Sequence, residues 1–100
     1  MPSFNQTSLR PYQGDIAESR ATVADNANST LSAAASNRRY LAIYNNGSAP
    51  LWVTFDGTTP TANSLAIPAN DGKEYVRFVP QNAITARSSS GALAVLTQVA

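Results

Sequence analysis

The residues of this chain that could do chemistry are few, and their types exclude most of it. The 100 residues contain no His and no Cys. Nucleophile–base pairs built on either residue are therefore absent, as are thiolate and imidazole metal sites. Six carboxylates remain as acid–base candidates: Asp15, Glu18, Asp25, Asp56, Asp71 and Glu74. Asp15 with Glu18 and Asp71 with Glu74 are the closest pairs. A glycosidase needs two carboxylates flanking a cleft, and a chain this short has little room for one. Asn70, Asp71 and Glu74 around Gly72 could offer oxygens to a calcium ion. Their spacing does not match a twelve-residue EF-hand loop, and an ordinary turn with Gly at its strained position accounts for them. Lys73, the single Lys, falls in the same turn. No catalytic residue, metal site or cofactor is expected, and no enzymatic activity.

The basic residues say little more. Arg38-Arg39 is the one doubled cation, a weak signal for phosphate contact. At the start of a strand it reads better as edge protection or as a salt-bridging contact between subunits. Net charge is +1 and charged residues make up 13% of the chain, against roughly 25% in ordinary soluble domains. There is no basic stripe, so nucleic acid is not an expected partner. A sparsely charged surface costs little to desolvate and suits broad contact with another protein. Tyr40, Tyr44, Trp52 and Tyr75 leave two readings open, a carbohydrate platform or packing between sheets; their alternation matches a core pattern.

The elements that must hold these residues divide near position 37. Residues 1–36 carry few large apolar side chains, Phe4, Leu9, Tyr12, Ile16, Val23 and Leu31, spaced too widely for a helical stripe or a strand alternation. Pro2 and Pro11 discourage helix. The expectation is an extended N-terminal arm over 1–36 carrying isolated anchors, with a short helix or strand within Ala21–Ala35 as a further possibility. Residues 37–100 then form a small antiparallel β-sandwich or partly open barrel. Six strands are expected: 39–44, 51–55, 64–67, 74–79, 83–87 and 92–99. Asn45–Ser48, Asp56-Gly57, Asn70–Gly72 and Ser88–Gly91 supply the turns. The expected core is Leu41, Ile43, Val53, Phe55, Phe78, Ile84, Leu93 and Val95. Short strands leave open edges, which scarce charge does not blunt, so the arm of this or a neighbouring chain is expected to cover one. Partner contacts are expected at Phe4, Leu9, Tyr12, Ile16, Arg38 and Arg39.

Residues 1–7 show no secretory signal, and no run approaches the roughly 20 apolar residues of a membrane span. Asn5-Gln6-Thr7, Asn28-Ser29-Thr30 and Asn46-Gly47-Ser48 match a glycosylation acceptor, but read as chance in a chain rich in Asn, Ser and Thr. A domain without disulfide or metal commonly gains stability by association.

Residues 38–99 resemble small structural proteins of tailed bacteriophages. The resemblance is carried by Arg39-Tyr-Leu-Ala-Ile-Tyr-Asn45, Leu51-Trp-Val-Thr-Phe-Asp-Gly-Thr58, Ala66-Ile-Pro68, Val79-Pro80, Ala83-Ile84 and Ser90-Gly91. It implies a β-sandwich virion protein, made in the host cytoplasm, and within that class a capsid decoration or cement protein binding the major capsid protein as an oligomer or lattice-bound subunit. A head–tail connector or tail component, and a carbohydrate- or receptor-binding module of a fibre or spike, are the alternatives.

Overall fold

The computed structural model describes residues 15–100. Eight strands fill this span: β1 (Ala17–Val23), β2 (Asn28–Ser32), β3 (Leu41–Asn45), β4 (Leu51–Thr54), β5 (Leu65–Ile67), β6 (Asp71–Tyr75), β7 (Ile84–Arg87) and β8 (Leu93–Val99). They form two four-stranded sheets, ordered β1-β8-β3-β6 and β2-β7-β4-β5. Every strand pairing is antiparallel. The protein is an all-β sandwich, as its alternation and turn spacing require.

The core follows from the two-residue period. Leu41 and Ile43 of β3, Leu51 and Val53 of β4, Ile84 and Ala86 of β7, and Leu93 and Val95 of β8 meet between the sheets. Val23, Leu31 and Ile67 complete the cluster. Each large aliphatic side chain buried there stabilises the fold by about 1.5–3 kcal/mol. Of the expected core, Phe55 is only partly buried, packed against the cluster and edge-on to Tyr75 with ring centroids 5.4 Å apart. Phe78 is not core at all; it is 88% exposed.

That misplacement of Phe78 follows from the position of β6. The expected strand 74–79 is displaced to Asp71–Tyr75, because Asn70 takes the positive φ that makes the turn (57°). Asp71 then enters the ladder opposite Asn45, and pairing runs until Tyr75 meets Leu41, where β3 begins. Beyond Tyr75 there is no strand left to pair with, and the chain leaves the sheet. Gly72 lies beneath the Tyr44 ring, so close that a Cβ there would collide with it.

The second correction concerns the arm. Residues 17–23 and 28–32 are strands of the sandwich, β1 paired with β8 and β2 with β7. The sandwich therefore starts at Ala17, not at residue 37. The widely spaced apolar residues misled because edge strands need little burial. The core side of β1 carries Ala17, Ser19, Ala21 and Val23, and only Val23 is buried.

Buried polar groups tie the connections. Asn45 is fully buried at the end of β3. Its Nδ2 donates to the carbonyls of Ala49 (2.8 Å), Ile67 (3.0 Å) and Pro68 (3.2 Å), and its Oδ1 accepts from the Gly47 N–H (2.9 Å). One side chain thus shapes the crossing from β3 to β4 and fastens β5 to it. At the same end, Asn26 N–H donates to the Ser88 carbonyl (2.7 Å) and Gly91 N–H to Asp25 Oδ1 (3.2 Å). These bonds join the β1–β2 and β7–β8 connections.

Candidate protein-binding surface

A sandwich has four edges, each a row of backbone groups able to pair with another chain, and monomeric proteins blunt them. Three edges of this one are blunted in recognisable ways. β6 carries Lys73 on the core side, opposite Ile43, and exposed; an added strand would have to bury that ammonium. β5 has three residues and runs straight into Pro68. β2 breaks register between Thr30 and Ser32, and a bulge there disturbs pairing.

The fourth edge, β1, has none of these features. It has seven residues, keeps an unbroken register with β8 from Ala17 to Val23, and contains no Pro. Its core side presents Ala17, Ser19 and Ala21, small enough to let a strand lie alongside. Its charges face outward and are already satisfied. Arg20 lies 3.0 Å from Glu18, and Gln98 Nε2 donates to Glu18 Oε1 (2.9 Å). A partner strand would therefore strand no buried charge. A shallow cleft of about 200 Å³ adjoins the edge, lined by Arg20, Ala21, Thr22, Asn46, Ala94 and Leu96.

Two of the residues expected to meet partners belong to this region or to the exposed surface. Ile16 immediately precedes β1 and is 38% exposed. Arg39 is exposed, and its N–H extends the sheet by donating to the Ala100 carbonyl (2.6 Å). Phe4, Leu9 and Tyr12 lie outside the described residues. Arg38 has a different role: it is buried. Its guanidinium donates to the carbonyls of Pro80, Asn82 (3.2 Å) and Ala33 (2.6 Å), and to Ser32 Oγ (3.0 Å). Loss of solvent lowers its pKa from the usual arginine value. Arg38 fastens the loop after β6 to the segment after β2. Sequence alone flagged the charge, but not the ring of backbone oxygens around it.

The aromatic residues do not form one platform. Tyr75 faces the core against Phe55. Tyr40 is 1% exposed, its hydroxyl donating to Glu74 Oε2 at 2.5 Å. Tyr44 is half-buried over Gly72 in the first sheet, and Trp52 is half-buried in the second, its indole N–H donating to Ser89 Oγ at 3.3 Å. By alternation both point away from the core, on opposite sides of the sandwich. Asp71 and Glu74 lie three apart on β6 and so point to opposite faces. Among the described residues no group of three or more acidic side chains is placed to hold a metal ion. Among them, too, no helix is long and apolar enough to cross a membrane.

A second surface feature escaped the sequence reading. Val53, Thr54, Phe55, Asp56, Ser64 and Leu65 line an open, mainly apolar cleft of about 360 Å³. Asp56 accepts at Oδ1 from the Thr58 N–H (3.1 Å) and Thr58 Oγ1 (2.6 Å). The Thr58 hydroxyl bond, then the backbone bond, hold its pKa below the usual carboxylate value. Gly57, at φ 82°, supplies the left-handed residue this turn requires.

No protein-family model matches the chain, and no curated protein matches it. Among solved structures, it is similar to a chain from the disulfide-linked pili that form Bacillus endospore appendages. The identity is 16%, the match covers 88% of this chain and 89% of that one, and the TM-score is 0.47.

Proposed function

We propose that this chain is a non-enzymatic structural subunit that binds other protein subunits through strand addition at β1. The observation that carries this reading is the contrast among the edges. Lys73, the three-residue β5 and the break in β2 obstruct three of them, while β1 is long and regular and carries none of these devices. Main-chain pairing at such an edge supplies affinity, and the small residues Ala17, Ser19 and Ala21 let the partner approach. The separation of Tyr44 from Trp52 weighs against a sugar-binding platform.

The finer reading is a capsid decoration or cement protein of a tailed bacteriophage, bound to the assembled major capsid lattice. It rests on the resemblance of residues 38–99 and on the low charge. A head–tail or tail component is the second reading, from the same resemblance. Binding an assembled lattice and not its separated subunits favours assembly by mass action, about 2.7 kcal/mol per site at a hundredfold excess over Kd. Particles lacking the protein should assemble but break at lower temperature, and added protein should restore them. A Ser19→Lys chain, which gives β1 the obstruction β6 already has, should fold normally and fail to restore them. Particles that never form without the protein, or that only lose tails or adsorption, would replace decoration with a connector or receptor-binding role.

A further inference from the structure

Phe78 is 88% exposed, and both sides of its loop are fixed. Tyr75, three residues earlier, ends β6. Pro80 and Asn82 just after it are held by the buried Arg38, and the Ala35 N–H donates to the Gln81 carbonyl (2.8 Å). Holding an aromatic ring out on a clamped loop removes most of the ordering cost of docking it. Arg77 beside it is exposed and has no ion-pair partner among the described residues.

The chain also carries the complement of this knob. The cleft beside Phe55 is open and mainly apolar, about 360 Å³, so one face of an aromatic ring can lie against it. Its accessible apolar wall is Phe55 and Leu65 over the buried Val53, and the exposed Asp56 also lines it. Phe55 touches Tyr75, and three residues reach at most about 10 Å. Knob and cleft therefore lie at the same end of the sandwich, yet Phe78 does not fill its own cleft. Two complementary features placed side by side match reciprocally when a second copy is turned by two-fold rotation, and the contact is then made twice.

We infer that two copies of this chain form a two-fold dimer in which Phe78 of each fills the cleft beside Phe55 of the other, with Arg77 meeting Asp56. This deepens the reading of the chain as a protein-binding subunit by naming one partner, and it uses a surface distinct from β1. Sedimentation equilibrium of the purified full chain tests it. Mass should rise from one copy to two with concentration and stop there. Phe78→Ala should weaken association by about 1,000-fold, since an aromatic hot spot is worth about 30-fold and the contact is made twice, with unchanged circular dichroism. Arg77→Asp and Asp56→Arg should each be monomeric alone, because like charges then meet in both contacts. Mixed together they should dimerise, because both contacts become attractive again. A wild-type chain that stays single at every concentration, a Phe78→Ala chain that dimerises normally, or a mixture that does not associate overturns the dimer. A monomeric wild-type chain that still restores particles overturns the dimer alone and leaves the edge-binding reading intact.

Discussion

At the residue scale, two buried polar side chains, Asn45 and Arg38, tie the connections of the fold. Asn45 satisfies three carbonyls and one amide at the junction of both sheets. Replacing it with Leu removes every one of those partners at a site closed to water. Asn45→Leu should cost about 3 kcal/mol or more, since each buried orphan costs about 1–3 kcal/mol, as measured by urea denaturation. Asn45→Asp would set a carboxylate against three carbonyl oxygens, so its folded pKa must rise. The variant should be least destabilised below the unfolded carboxylate pKa and lose stability as pH rises through the folded value. The sequence marked Asn45 as the start of a turn and as part of the resemblance, but not as the hub of the crossing, because one chain shows nothing of which carbonyls converge on it. Asp56 offers a gentler case. Its lowered pKa rests on Thr58, so Thr58→Ala should return it toward the ordinary value in a titration followed by NMR. Any stability contributed by wild-type Asp56 is present above the unfolded pKa and is lost as pH falls through the lowered folded one.

At the scale of elements, the strands with strong alternation were legible. β3, β4, β7 and β8 bury one face in the common core, and Leu41-Ala-Ile and Leu51-Trp-Val state that plainly. Of the edge strands, β5 was legible, expected over 64–67 and found at Leu65–Ile67, β2 only as a possible short element within Ala21–Ala35, and β1 not at all. β1 needs only Val23 in the core, and its remaining core-side residues are small, so its sequence looks like that of an unstructured segment. β6 was found in the wrong register because Asn70, not Gly72, takes the left-handed turn position. These assignments imply different costs for similar substitutions. Ile43→Ala should cost about 2–5 kcal/mol. Phe55→Ala should cost less than the 3–5 kcal/mol of a fully buried Phe, because Phe55 is half-buried. Phe78→Ala should change the stability of the single chain by no more than about 0.5 kcal/mol. Thermal melts of the three variants at low protein concentration check this order. A Phe78→Ala loss as large as that of Ile43→Ala would contradict the exposed placement of the ring.

At the scale of the whole molecule, a sandwich this small, with no Cys to form a disulfide, is only moderately stable by itself. Among the described residues, Asp71 and Glu74 point to opposite faces of β6. What distinguishes the molecule is the unequal treatment of its four edges, and that inequality is the basis for reading it as an assembly subunit. Hydrogen exchange on the free protein and on the protein bound to particles tests this most directly. In the free chain the β1 amides that face away from β8 should exchange fast, while those paired with β8 exchange slowly. On binding, the fast amides between Ala17 and Val23 should become slow, and those at the outer edge of β6 should not change. Bound protein whose β1 edge exchanges as fast as before would contradict the account.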